Sequence, residues 1–153
     1  MSTLIIYYSL TGHVKRFVEK IESSLGFYTL EIKTKSNFQY KGPLKYFIGG
    51  FQSLNGYSPT IQDININFNN YSKFILITPV WASGYAPAIN SFLNKYDFDN
   101  KEIVLITSSG APNDSAIKKL KMKLQMSKII DTFTIYDKKI EENDLVIESL
   151  KKL

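Results

Sequence analysis

Cysteine is missing from this chain of 153 residues, and histidine occurs only once, at His13. Without cysteine the chain can form no disulfide, no thiolate metal site and no cysteine nucleophile, which agrees with a reducing cytoplasm. A single histidine also excludes a metal site built from several histidines. The loops carry no pair of carboxylates, and we expect the ring of His13 to face solvent. We therefore predict no metal site and no catalytic side chain.

Long apolar runs are also missing from the sequence. No uninterrupted run approaches the ~18 residues of a membrane-spanning helix. The first residues, MSTLIIYYSL, lack the basic segment, long apolar stretch and cleavage site of a signal peptide. We therefore expect no membrane span and a cytoplasmic location.

The net charge is +5, and a basic surface suits nucleic acid, anionic lipid or an acidic protein. The lysines are spread along the chain, and the densest stretch, KKLKMKLQMSK, also has the pattern of the polar side of a helix. We interpret this stretch as a solvated helix face and expect no nucleic-acid partner.

The sequence does contain a regular alternation of two apolar patterns. Continuous β-prone runs predict strands, and apolar residues at helical spacing predict helices between them. Strands are predicted at 3–8, 27–33, 73–79, 102–109 and 129–137, and helices at 14–25, 44–54, 89–96, 117–124 and 146–153. This alternation is typical of a parallel sheet joined by right-handed crossovers. We predict one doubly wound α/β domain over residues 1–153, with five parallel strands and helices on both faces.

Three loops of this predicted fold are candidates for a ligand site. In doubly wound folds, ligands bind beyond the C-terminal strand ends, where the strand order changes direction. That rule selects residues 9–14, 79–87 and 108–113, which are all rich in small polar residues, glycine or proline. We expect the site where these three loops meet.

The first loop, SLTGHV, is a candidate phosphate site. A helix N-terminus offers unpaired N–H groups and a partial positive charge, Ser9 and Thr11 add hydroxyl donors, and Gly12 lets the backbone close around an anion. The alternative is that Thr11 only caps a helix and Gly12 only makes a turn. The sequence has neither the G-x-x-x-x-G-K-S/T loop of nucleotide triphosphatases nor the G-x-G-x-x-G of dinucleotide sites. The ends of the first and third strands also lack the acidic residues of a phospho-receiver domain.

These residues resemble the flavodoxin family. SLTGHV is similar to the family's phosphate loop, Ser/Thr-x-Thr-Gly-x-Ser/Thr, and TPVWASGYAPAINSFL is similar to its P-V-W-x-G-x-x-A-P-x-x-x-x-F-L segment. YFIGGFQSLNGYSP resembles a segment of short bacterial flavodoxin-like proteins. The resemblance implies the strand order 2-1-3-4-5 and FMN as the cofactor. Two departures are that Val14 replaces the last Ser or Thr of the phosphate loop, and that Gly84 lies one place later than usual.

The resemblance implies that all three loops bind FMN. The first loop would hold the phosphate, the second would lie along the ring, and the third would present N–H groups to the N1/O2 edge. Trp81 and Tyr85 can supply stacking surfaces for a flat ring, although Trp81 can also simply pack at a strand end. The predicted cofactor-binding residues are Ser9, Thr11, Gly12, His13, Val14, Pro79, Val80, Trp81, Ala82, Ser83, Gly84, Tyr85, Ser108, Ser109, Gly110 and Ala111.

Three functions remain open on this sequence. The first is a flavodoxin-like protein that binds FMN and transfers electrons to a redox partner protein or a small-molecule electron acceptor. The second is an NAD(P)H- or quinone-dependent FMN oxidoreductase on the same fold. The third is a regulatory or interaction domain without flavin. The basic charge disfavours a generic carrier, because carriers of this family tend to be acidic, and favours a partner with an acidic docking surface or a small-molecule acceptor.

Overall fold

The computed structural model of the chain describes residues 2–35, 58–82, 84–136 and 140–153. The strands are β1 (Ser2–Tyr7), β2 (Tyr28–Glu31), β3 (Tyr71–Trp81), β4 (Gly84–Tyr85), β5 (Glu102–Ser109) and β6 (Lys128–Tyr136). The helices are α1 (His13–Leu25), α2 (Pro87–Lys95), α3 (Ser115–Lys123) and α4 (Ile140–Leu150). The helix predicted at 44–54 lies outside the described residues.

The sheet has the predicted topology with one addition. Its parallel strands follow the order β2-β1-β3-β5-β6, which is the predicted order 2-1-3-4-5 when β4 is left out. The predicted fold class is therefore confirmed. The addition is β4, which no sequence pattern predicted; it pairs antiparallel with the end of β3, placing Trp81 opposite Gly84. Because of this pairing, β3 continues past Pro79, where the predicted strand ended.

The helices cover both faces of the sheet, as predicted. Successive side chains of a strand point to opposite faces, so the buried residues of each strand divide between two cores. On one face, Leu4 and Ile6 of β1 belong to a core that includes Phe92 of α2 and Leu120 of α3. On the other face, Ile5 and Tyr7 belong to a core with Val18 and Ile21 of α1. Ile147 and Leu150 of α4 complete that second core.

The helix boundaries follow local sequence signals. The N-terminus of α2 is set by Pro87, whose fixed backbone angle suits the first helical position. The C-terminus of α1 is set by Gly26, which has a φ of 66° and donates its N–H to the carbonyl of Glu22.

None of the helices in the described part of the chain has the length and apolar character that crossing a bilayer requires.

Candidate functional site

The loops that follow β1, β3 and β5 meet in one cleft. In the strand order, β1 and β5 flank β3, so the carboxyl ends of these parallel strands share an edge of the sheet. The order in which the parallel strands are added to the sheet reverses between β1 and β3, and ligands bind at this point in such folds. The cleft has a volume of about 220 Å³. It is lined by Ser9, Leu10, Thr11, His13, Val14, Pro79, Val80, Trp81, Ser108, Ser109 and Gly110.

Gly12 and Ser9 shape the first loop. The residue before α1 is Gly12, with a φ of 87°, a left-handed conformation that favours glycine. No side chain at this N-cap position caps the helix. Ser9 acts instead from further upstream, because its Oγ accepts a hydrogen bond of 3.2 Å from the N–H of Lys15. The alternative in which Thr11 caps the helix is therefore wrong, and Thr11 is exposed beside the cleft.

The side chain of Val14 is buried in the core. It is 2% exposed and belongs to the same core as Phe17 and Val18. Val14 lies in the first turn of α1 and also lines the cleft. The departure from Ser or Thr at this position therefore exchanges a hydroxyl for apolar packing.

Trp81 is held in the second loop by an aromatic contact. Its ring packs edge to face on Tyr8, with the ring centroids 5.8 Å apart and the planes at 79°. Tyr8 is almost fully buried, and this burial raises the pKa of its hydroxyl. A buried aromatic neighbour thus fixes the orientation of Trp81 at the cleft wall.

Buried Thr78 holds the two ends of the second loop together. Its Oγ1 accepts a hydrogen bond of 3.0 Å from the N–H of Ala86 and donates to the carbonyl of Pro79 at 3.1 Å. Between these points, Ala82 has a φ of 42°, which is unusual for a residue other than glycine. The loop is therefore a closed turn that holds local backbone strain.

The third loop folds onto itself beside β3. Ser108 pairs with Pro79 across the sheet, which places this loop next to the second one. The Oγ of Ser109 donates to the carbonyl of Ala111 at 2.6 Å. Both serines are largely buried, at 7% and 9% exposure. The loop thus presents small residues and main chain to the cleft.

The structure brings most of the predicted site residues together. Those on the cleft wall are Ser9, Thr11, His13, Val14, Pro79, Val80, Trp81, Ser108, Ser109 and Gly110. Those off the wall are Gly12, Ala82, Gly84, Tyr85 and Ala111. Ser83 lies outside the described residues. Leu10 lines the cleft without having been predicted, and its only sequence signal is its place between Ser9 and Thr11. The role of all these residues in cofactor binding stays a prediction.

Tyr85 differs most from the expected stacking slot. Its hydroxyl donates to Oδ1 of Asn90 in α2 at 3.1 Å. Its ring packs against the core that contains α2, and burial raises the pKa of its hydroxyl. Of the two predicted stacking residues, Trp81 alone lines the cleft.

The described residues of the cleft wall carry neutral donors and no carboxylate. The only titratable side chain on this described wall is that of His13, whose Nδ1 lies 2.8 Å from Nη2 of Arg16. Among the residues that the structure describes, no three His, Asp or Glu side chains come together in a way that could hold a metal ion. This wall suits an anionic or polar ligand and offers no acid–base pair.

Comparisons with known proteins agree with this geometry. The family model for flavodoxin matches residues 52–152. A flavoprotein of Lactobacillus acidophilus, solved in complex with FMN, is 24% identical, with a TM-score of 0.76 over 94% of this chain and 98% of its own. A Bacteroides uniformis protein is 18% identical, with a TM-score of 0.83 over 96% of this chain and 97% of its own.

A third structure extends the likeness to a flavodoxin itself. Two-electron reduced flavodoxin of Megasphaera elsdenii is 13% identical, with a TM-score of 0.59 over 99% of both chains. Comparison with curated proteins gives no match. At these identities the solved structures show the fold alone. Because the part matched by the family model is more than half of the chain, the protein belongs to the flavodoxin family.

Proposed function

We propose that this protein binds FMN in the cleft between its three loops and works as an electron-transfer protein. The observation that carries the proposal is the convergence of the three loops on one cleft with a neutral, donor-rich wall. FMN is the cofactor expected from membership of the family, and the flavoprotein of Lactobacillus acidophilus supports it.

The first loop fits the phosphate of FMN. The first N–H groups of a helix have no partner within the helix, and they carry a partial positive charge. Here the helix follows Gly12 directly, and the N–H of Lys15 is taken by Ser9. The hydroxyls of Ser9 and Thr11 and the main chain from Gly12 to Val14 would hold the phosphate. A single phosphate suits one helix N-terminus.

The second and third loops fit the ring. Trp81 supplies an aromatic wall that Tyr8 fixes in place, and stacking on it would add roughly 0.5–1.5 kcal/mol beyond burial. The main chain of Ser108 to Ala111 would face the polar edge of the ring. The cleft is smaller than the roughly 300–1,000 Å³ of sites that enclose a whole ligand.

The residues of the cleft favour an electron carrier over an enzyme. Bound FMN would supply the redox chemistry, which the side chains of the chain cannot provide. With no carboxylate on the wall and His13 as the only titratable group there, the described residues hold no acid–base pair for a substrate. Their proposed work is to bind, orient and partly shield the flavin.

A ligand titration tests the cofactor proposal. The apo-protein is offered FMN, riboflavin and FAD side by side, and flavin fluorescence gives each Kd. We expect FMN to bind most tightly, with riboflavin weaker by at least about tenfold because it leaves the charged hydrogen bonds of the phosphate unmade. Equal affinity for riboflavin and FMN would disprove the phosphate site. No binding of any flavin would favour an interaction domain without flavin.

A second assay separates the carrier from the oxidoreductase. The FMN-loaded protein is mixed with NADH, NADPH and a quinone, and absorbance follows oxidation of the nicotinamide. We expect no sustained turnover, with electrons passing instead to a redox partner protein. Rapid oxidation of NADH or NADPH would show that the protein is an oxidoreductase rather than an electron carrier. The cytoplasmic location stays a prediction that cell fractionation tests.

A further inference from the structure

The guanidinium of Arg16 turns back over the start of α1. Its Nη2 lies 2.8 Å from Nδ1 of His13, and a guanidinium only donates, so the ring nitrogen accepts. Its Nη1 would lie 3.3 Å from a Cβ placed on Gly12. Arg16 is therefore held above two residues of the first loop.

Arg16 also lines a second cleft, which adjoins the first. This second cleft of about 220 Å³ lies between α1, the end of β6 and α4, and Arg16 and Lys20 line it. His13 and Ser108 line both this cleft and the one between the three loops. The guanidinium is thus hydrogen-bonded to the ring of His13, a residue that borders the proposed phosphate site.

The charge of Arg16 has no anionic partner in the described part of the chain. Lys20, one turn further along α1, is paired with Asp144, whereas no such ion pair reaches Arg16. The first turn of α1 contains no acidic residue, and none of the described residues that line the cleft between the loops is a carboxylate. A full positive charge therefore lies beside a loop whose own donors are neutral or partial.

We propose that Arg16 is a further binding residue of the phosphate site. This inference rests on the proposed binding of FMN. Its guanidinium, oriented by His13, supplies a full positive charge for the dianionic phosphate, because the loop itself offers only neutral or partially charged donors. The remaining N–H groups of the guanidinium form a planar fork that matches phosphate oxygens. Riboflavin has no phosphate, so Arg16 acts on FMN alone and sets the preference between the two.

The test measures the Kd of FMN and of riboflavin for apo-protein variants at low and at physiological salt. Arg16→Gln should weaken FMN by about tenfold, the lower end for a hydrogen bond to a charged group at an exposed site. It should leave the Kd of riboflavin unchanged and reduce the salt dependence of FMN binding. Lys15→Gln is the matched control, because it removes the same charge from the adjacent exposed residue, whose side chain lines neither cleft. We expect it to change FMN binding less than threefold.

Arg16→Lys keeps the charge but loses the planar fork, and it should fall between the wild type and Arg16→Gln. Unchanged thermal unfolding of each apo-variant would show that the fold is intact. Equal effects of Arg16→Gln and Lys15→Gln on FMN would overturn the proposal, as would an equal loss of riboflavin affinity. If the wild type itself does not prefer FMN, the phosphate site fails. If the wild type prefers FMN and Arg16→Gln keeps the full preference, the role of Arg16 alone fails.

Discussion

Ser9 and Thr11 both lie in the first loop, but their side chains have different hydrogen-bonding roles. The Oγ of Ser9 accepts the N–H of Lys15 in the first turn of α1, so this side chain stabilises the helix and borders the cleft. Thr11 is exposed and lines the cleft without capping the helix. Substitutions can therefore separate the structural role of the loop from its binding role.

Ser9→Ala should reduce both stability and FMN affinity. Losing the acceptor for a helix N-terminal N–H should lower the free energy of unfolding by about 0.5–2 kcal/mol. Thr11→Ala should weaken FMN but change stability by less than about 0.5 kcal/mol, as is usual for an exposed residue. Urea unfolding of the apo-proteins and titration with FMN measure the two effects. Equal stability of the two variants would contradict the separation.

Ala82→Gly should stabilise the protein. A left-handed conformation costs an ordinary residue roughly 1–2 kcal/mol, whereas the greater freedom of glycine in the unfolded chain costs about 0.4–1 kcal/mol. We expect urea unfolding to show a net gain of about 0.5–1 kcal/mol. Asn100→Gly is the control, since Asn100 has a φ of 60° but asparagine adopts this conformation readily. A gain at Asn100 as large as at Ala82 would argue against strain at Ala82.

At the scale of elements, strand pairing, an aromatic contact and a hydrogen bond hold the connection from β3 through β4 to α2. β4 pairs with the end of β3, Trp81 packs on Tyr8, and Thr78 binds the main chain before α2. Thr78 and Thr107 face each other in the register of β3 and β5, and both are fully buried. The two threonines nevertheless bind different groups.

Thr78→Val should loosen this connection. The buried N–H of Ala86 would lose its acceptor, which should lower the free energy of unfolding by about 1–3 kcal/mol and weaken FMN. In the matched control Thr107→Val, the lost partner is the hydroxyl of Thr134, which is half-buried and can bind water instead. We expect a smaller loss of stability and unchanged FMN binding. Urea unfolding and flavin titration measure both, and a weaker FMN complex in the control would refute the assignment.

At the scale of the whole molecule, the sheet separates two cores, and each of them contains a buried tyrosine. Tyr7 lies in the core under α1 and is 6% exposed. Burial raises the pKa of Tyr7 to about 12, and the carboxylates of Glu31, Glu19 and Glu22 add to this shift. The fold therefore holds this hydroxyl in its neutral form well above the ordinary range for tyrosine.

This shift predicts a loss of stability in alkali. The unfolded chain loses the proton of this tyrosine near pH 10, whereas the folded chain keeps it until about pH 12. The stabilisation is complete below pH 10, and the free energy of unfolding should fall as the pH rises from 10 towards 12. Tyr7→Phe should make that fall shallower, as measured by urea unfolding at several pH values. An unchanged slope in this variant would contradict the prediction.

The order of the elements and the place of the cleft could be predicted because they depend on local patterns. The apolar runs at 3–8, 73–79 and 102–109 are long and β-prone enough to specify buried strands. Alternation with helices then determines that their carboxyl ends meet at one edge. The three loops needed no further information, and ten of their predicted residues line the cleft.

The positions of individual side chains were decided by tertiary structure. Tyr85 binds Asn90 because β4 pairs with β3 and carries the chain into α2. Val14 enters a core that segments distant in the sequence form together. Local patterns determine which segments are strands and helices, but the neighbours of a side chain depend on contacts between distant segments, which no local pattern encodes.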